Sequence, residues 1–473
     1  MKAPERMSAV DRAWLLMERP TNPMVVMGLL VLSAPLPHAA LRHILAERFL
    51  SFERFRCIPV LEALGGHWER AEQFNLDDHL LQVALPAPGG KRELELLVSE
   101  LASTPLNTGR PLWSFHHVQR YQGGSALVVR IHHCYADGIA LMGVLLQLAD
   151  AVQDGAGLSP VAGSPPPTPP GPEAPGVRRT GSLTELLGQA LREGSNLLEK
   201  SLHYTLHPIE GAGATREVAG LAAEVANIGV LLADDPVTCL KQPLTGVRRV
   251  AWAEPLALEE VRTVGRVLGC TVNDVLVATL AGALGRYLET RGDRTAGLTI
   301  RAATPVNLRT VQSARPELGN RFGLVFVNLP VGIRHPLERL YSVHQAMQTL
   351  KGSPQALATF GLLSIIGSLP AAVEEPAIAL FSAKASLAAS NLRGPAQYLT
   401  LAGVPVTQLL FWVPQTGSIG TGVSMFTYGE EVQFGVIADR RLIPDPAELV
   451  ALIQAEFDRL VLLVLLGGGS LAD

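Results

Sequence analysis

Only four cysteines occur in the chain, Cys57, Cys134, Cys239 and Cys270, and no two form a Cys-x-x-Cys pair. That scatter argues against a structural zinc site or a disulfide framework and suits a reducing cytosol. Charge is sparse as well: 17% of residues are Asp, Glu, Lys or Arg, and the formal net charge is -4. With a pI near 6.3, the chain lacks the basic footprint of a nucleic-acid binder. No cluster of lysines and arginines marks it for strong binding to anionic lipid. Three signatures are also missing: Gly-x-Ser-x-Gly, the phosphate-binding loop and Gly-x-Gly-x-x-Gly. Their absence disfavours an α/β-type serine hydrolase, a nucleotidase and a dinucleotide enzyme. No run reaches the ~18 apolar residues of a membrane span, and the first twelve residues lack the apolar core of a secretory signal.

What the chain has is length and apolar content. Its 473 residues, 48% of them hydrophobic, predict two domains of ordinary size with large interiors. The mean hydropathy of +0.24 fits the same large core, a surface that touches lipid being the alternative. Helical and strand patterns mix over 1–154. A proline-rich stretch including Ser164-Pro-Pro-Pro-Thr-Pro-Pro-Gly-Pro172 cannot hold a regular element, so 155–181 is expected to be a linker. Residues 182–245 read as a helical connector. From 246 to 473 strands and helices alternate again, ending in a helix from Pro446. The expected fold class is α/β (α+β), two domains in tandem without a strict βαβ rhythm.

The chemistry concentrates in His132-His133-Cys134-Tyr135-Ala136-Asp137-Gly138. The run before it, Ser125–Ile131, is rich in β-branched residues and predicts a buried strand; Ile139–Val152 predicts a helix. Two imidazoles, a carboxylate and a glycine thus meet at a strand-to-helix junction. Histidine suits proton transfer near neutral pH because its ordinary pKa is ~6.5. A positioned imidazole typically contributes ~10²–10⁴-fold when a hydroxyl must lose its proton as it attacks. Neighbours at a strand end point to opposite sides, so only one of the two histidines is expected to face a given cavity. Asp137 is placed to pair with an arginine and fix the loop. Gly138 would permit a tight turn or the close approach of a substrate.

The other histidines carry less. His116 and His117 lack the Asp-Gly sequel and read as strand residues, and His203 and His207 read as a solvated helix face. Thr271-Val-Asn273-Asp274 opens a long helix, with Thr271 as cap and Asp274 in the first turn, where an acid favours the dipole. The Asn273 amide is a candidate donor to a developing oxyanion.

The box resembles that of the condensation-type acyltransferases, which include chloramphenicol acetyltransferase, carnitine acyltransferases and peptide-synthetase condensation domains. Further segments are similar to one branch, the bacterial wax ester synthase/diacylglycerol acyltransferases. They are Met7–Glu18 with Thr21-Asn-Pro-Met24, Ala102–Leu106 followed by Pro111-Leu-Trp113, Asn273-Asp274, and Leu318-Gly-Asn-Arg-Phe-Gly323. The likeness runs from residue 7 to about 460. Two departures stand out: Asn391-Leu-Arg-Gly-Pro395 replaces an Asn-Val-Pro-Gly-Pro run, and Ser114 stands where a glutamate is common.

This resemblance implies two chloramphenicol-acetyltransferase-like domains with mixed sheets, joined by a crossover, and an active-site tunnel at their interface. It implies that His133, the second histidine of the box, is the general base, with His132 and Asp137 holding the loop and Trp113 supporting an apolar channel. The implied reaction moves a long-chain acyl group from acyl-CoA to diacylglycerol or a fatty alcohol. It calls for no metal or redox cofactor. Because the substrates or products are lipids, a cytoplasmic enzyme peripheral to the inner membrane face or lipid droplets is expected.

Overall fold

The computed structural model describes residues 5–62, 65–151, 232–309, 317–351, 355–368 and 371–467. The expected linker and most of the helical connector lie outside these residues; 232–245 runs without helix or strand. The first half comprises β1 (Glu5–Arg6), α1 (Ala9–Leu16), β2 (Val25–Leu32), α2 (His38–Glu47), β3 (Cys57–Leu61), β4 (Gly66–Arg70), β5 (Leu80–Val83), α3 (Lys91–Ser103), β6 (Trp113–Tyr121), β7 (Gly124–His132), α4 (Gly138–Leu148) and β8 (Asp150–Ala151). In the second half come β9 (Arg248–Trp252), β10 (Leu256–Ala257), α5 (Leu258–Val267), α6 (Val272–Thr290), β11 (Ile300–Asn307), β12 (Phe322–Leu329), α7 (Pro336–Lys351), α8 (Gln355–Ser368) and α9 (Ala371–Ser382). The chain then continues through β13 (Leu387–Arg393), β14 (Leu399–Leu401), β15 (Val404–Trp412), β16 (Thr421–Tyr428), β17 (Glu431–Asp439) and α10 (Pro446–Gly467).

Two seven-stranded sheets dominate. The first has the order β5-β6-β7-β2-β15-β14-β8, and the second β10-β17-β16-β13-β11-β12 with β9 also on β17. Both are mixed: β5 runs parallel to β6 in one, and β13 parallel to β11 and β16 in the other. A small sheet, β1-β4-β3, lies apart. β14 and β15 leave the second half of the chain to extend the first sheet, pairing Leu410 with Leu29 on β2. The sheets therefore do not divide at a single point in the sequence.

The apolar runs follow from double-sided burial, which removes the alternation of a one-faced strand. On β2, Leu30 and Leu32 join a core with Leu41 and Leu45 of α2, whereas Leu29 and Val31 join Leu94 and Val98 of α3. In the second half α6 is buried nearly all round and starts on a reciprocal cap. The Thr271 hydroxyl accepts from Asp274 N, and the Asp274 carboxylate accepts from Thr271 N. A Cβ on Gly285 would sit 2.2 Å from the Val331 carbonyl oxygen, so only glycine allows that approach. Where α6, α7 and α10 meet, Arg339 is ion-paired to Glu456, both buried. One core extends from Trp14 and Ile131 through Phe322 to Phe411 and Phe426, joining the halves.

Candidate active site

The box sits where β7 ends and α4 begins, as its flanking patterns predict. Asp137 is the N-cap of α4; its Oδ1 accepts from Ala140 N at 3.0 Å. Its Oδ2 accepts from the Arg309 guanidinium and from Arg321 N, the latter at 2.9 Å. The arginine expected for Asp137 is thus supplied by the second half of the chain. Arg309 also donates to the Gly319 carbonyl at 2.8 Å. Gly319 in turn donates to the Tyr135 carbonyl at 2.9 Å, and bridges Ala136. Its φ of +104° lies in the region that favours glycine. The loop 318–321 therefore clamps the box from across the interface.

The two imidazoles have different surroundings. His132 Nδ1 accepts from Cys134 N at 3.1 Å, which places the proton of the neutral ring on Nε2, 3.3 Å from the Glu18 carboxylate. His133 stacks on Trp14 with centroids 4.1 Å apart, and Phe322 lies at 5.6 Å. His133 is only 5% exposed. Burial pushes its pKa down to about 4; Asp137, its own carbonyl and the Asn320 side chain pull the other way, while His132 adds to the depression. The ring is consequently unprotonated at neutral pH. Its backbone is fixed by bonds from His133 N to the Met24 carbonyl and from Asn320 Nδ2 to the His133 carbonyl, both 2.8 Å.

Beside the box lies a cavity lined by apolar side chains and two glycines. Its wall includes Ile131, just before the box, Gly138 at the box's end, and Leu141, Met142, Leu145 and Leu148 along one face of α4, but neither His132 nor His133. Leu392 and Phe426 of the second sheet close it, so the chamber lies between the two sheets. Gly138 does not have a positive φ, and a Cβ there would meet only Leu392 at 3.9 Å. The turn does not demand glycine; the residue leaves room in the wall. Trp113 stands behind the chamber. It touches Phe49 and Phe115, which line it, and its indole donates to the Phe55 carbonyl at 2.7 Å.

The sequence comparison fits this geometry. Residues 7–276 match the pattern of the wax ester synthase/diacylglycerol acyltransferase catalytic domain, and residues 318–461 that of the family's C-terminal domain. The chain belongs to the wax ester synthase/diacylglycerol acyltransferase family. A relative from Mycobacterium tuberculosis, named a probable diacylglycerol O-acyltransferase, is 29% identical over 93% of this chain and 91% of its own length. Another from the same species, also named for that activity, is 30% identical over 86% and 85%. Among solved structures, the wax ester synthase/diacylglycerol acyltransferase from Marinobacter aquaeolei superimposes with a TM-score of 0.66 at 22% identity, covering 98% of this chain and 100% of that one. The first condensation domain of the calcium-dependent antibiotic synthetase gives 0.59 at 16%, covering 98% and 96%. At these identities the two structures establish the shared fold.

The acyltransferase family's N-terminal segment now acquires physical roles that its sequence did not disclose. Asp11 accepts from Asn320, Trp14 stacks on His133, and Glu18 bonds Met24 N and faces His132. Asn22 donates to the Gly417 and Ile419 carbonyls and accepts from Arg248. The Asn-Asp pair lies elsewhere. Asn273 Oδ1 accepts from Asn391 at 2.7 Å, joining two family segments, and neither residue lines the chamber. Asp274 completes the α6 cap and bonds His344 Nδ1 at 2.7 Å. Cys270 is close by, the three ligand-type atoms lying within 4.8 Å of one another, but the cap and the histidine account for the carboxylate's position.

Proposed function

We propose that this acyltransferase moves a long-chain acyl group from acyl-CoA to the hydroxyl of diacylglycerol or a fatty alcohol, making triacylglycerol or wax ester. The observation that carries the reading is an all-apolar chamber walled by Ile131 and Gly138 of the segment that holds the buried imidazole of His133. Only a substrate rich in methylenes gains by filling such a wall, at ~0.8 kcal/mol per buried group. The relatives' names support diacylglycerol as an acceptor.

In the proposed step the hydroxyl oxygen attacks the thioester carbonyl carbon as its proton passes to His133. The tetrahedral intermediate collapses with loss of the coenzyme A thiolate, which takes the proton back from the imidazolium. Ester and free coenzyme A result, with no covalent enzyme intermediate and no need for a metal or redox group. His132 and Asp137 hold the loop. Asn273 remains the proposed oxyanion donor: its Oδ1 accepts from Asn391, so its NH₂ group is the part of the amide that would donate.

Among the described residues no single helix is long and apolar enough to cross a membrane. The end of α10, however, exposes Leu462, Leu465 and Leu466 by 55, 70 and 80%. This aliphatic tip supports peripheral contact with a lipid surface, a cytoplasmic membrane face or droplet, where both substrates partition.

Palmitoyl-CoA offered with hexadecanol, a diacylglycerol or a long-chain amine, and scored by release of free coenzyme A, tests the reading. Release with either hydroxyl acceptor is expected. Release with the amine alone would assign a different acceptor chemistry, and release with none would make the protein a lipid binder.

A further inference from the structure

Taking a proton turns a neutral imidazole into a cation, so a buried base works only if its surroundings favour that charge as it forms. His133 is buried, and so are the two aromatic rings packed on it. Trp14 lies nearly parallel to the imidazole, with centroids 4.1 Å and planes 18° apart. Phe322 is tilted by 49° at 5.6 Å and also meets Trp14 at 5.8 Å.

The carboxylates around the box are committed elsewhere. Asp137 favours a charged ring through space, but its Oδ1 accepts from Ala140 N and its Oδ2 is ion-paired to Arg309. Glu18 accepts from Met24 N and faces His132. Asp11 accepts from Asn320 and lies 3.7 Å from Arg54. What lies flat against the His133 ring is the indole. An indole face is electron-rich and attracts a cation within about 6 Å of its centre, most strongly where water is excluded.

Two features indicate that the indole serves by its face as well as its bulk. Its Nε1 is buried with no hydrogen-bond partner among the described residues, a cost that phenylalanine or leucine would not carry. The helix that bears it, α1, is also firmly placed. Ser8 caps α1 by accepting from Asp11 N at 3.1 Å, and Arg12 donates to the Gly367 carbonyl of α8 at 2.8 Å. A Cβ on Gly367 would collide with the Ala9 carbonyl, so the two helices touch backbone to backbone.

We infer that Trp14 is a positioning residue acting through His133, its π face stabilising the imidazolium that forms when the hydroxyl gives up its proton. No bond is made or broken at Trp14. The proton passes from the hydroxyl oxygen to His133 and on to the departing thiolate. Because the attraction grows as the charge appears, it lowers the barrier rather than tightening substrate binding. α1 and α8 come from different halves of the chain, so the stack is complete only when the halves are docked. This inference rests on His133 being the base.

The experiment compares wild type, Trp14→Phe, Trp14→Leu and His133→Ala with a series in which position 14 carries tryptophan bearing one to four ring fluorines. Fluorine drains the indole face of negative charge and barely alters its shape. Each protein is measured for kcat and KM with palmitoyl-CoA and hexadecanol, and for its thermal melt. Trp14→Leu is expected to lower kcat by about 10–30-fold with KM nearly unchanged, and Trp14→Phe by only a few-fold. Along the fluorine series kcat should fall step by step, reaching about ten-fold at four fluorines, with the melt unchanged. A tryptophan that merely packs would give a flat series. A series flat to within about two-fold, or a folded Trp14→Leu with wild-type kcat, would overturn the inference. An active His133→Ala would instead overturn the functional reading beneath it.

Discussion

Asp137 performs two tasks with its two oxygens, capping α4 through Oδ1 and holding Arg309 and Arg321 N through Oδ2. Removing it takes away the cap, worth about 1 kcal/mol, and leaves a largely buried guanidinium without its carboxylate. Breaking such a pair from one side costs about 3–5 kcal/mol. Asp137→Ala is therefore expected to lose about 3 kcal/mol or more in urea unfolding, while Asp137→Asn, which keeps the cap but not the charge, loses about 1 kcal/mol less. A negligible loss with Asp137→Asn would place the stabilisation in the cap alone. The sequence made the box, the different surroundings of its two histidines and the need for an arginine legible, because those follow from local spacing. It could not disclose Arg309, Asn320, Trp14 or Glu18 as partners. Bonds across 172 or 187 residues leave no periodicity to read.

α4 shows how an ordinary core pattern can hide a substrate wall. Gly138, Leu141, Met142, Leu145 and Leu148 recur at the three- and four-residue spacing of a helix face. Any buried helix looks the same in sequence. Ten residues of helix span about 15 Å, room for a chain of roughly a dozen carbons at about 1.25 Å each. Leu145→Trp should fill part of this space and lower kcat/KM for palmitoyl-CoA by about ten-fold or more, at ~0.8 kcal/mol per excluded methylene. Butyryl-CoA, which does not reach so far, should be nearly unaffected. If both donors lost the same factor, the chamber would not be the acyl site. The departure at Asn391-Leu-Arg-Gly-Pro395 is instructive at the same scale: Leu392 lines the chamber and Asn391 bonds Asn273, so a single strand serves both motifs.

Across the whole molecule, several imidazoles are buried in neutral form. Burial lowers His116, His117 and His133 to about 4 each, with Arg130, His38 and His132 adding to the effect respectively, and it lowers His79 as well. In the unfolded chain these rings titrate near 6.5, so acid charges them there first. Their contribution is complete above pH 6.5 and is lost as pH falls from 6.5 toward 4. Melting temperature is expected to fall steadily over that window, and a flat profile would contradict the burial of these rings. The two-domain α/β class was legible from alternating patterns, and the exchange of β14 and β15 into the first sheet was not. Those strands are short apolar runs that would suit either sheet, and only the long-range pairing of β15 with β2 decides between them. The central claim is that a chamber shared by both halves serves one neutral base. Coenzyme A release from palmitoyl-CoA and hexadecanol by folded His133→Ala measures it most directly. The account predicts a loss of at least about 10²-fold in kcat with an unchanged melt; turnover near wild type would contradict it.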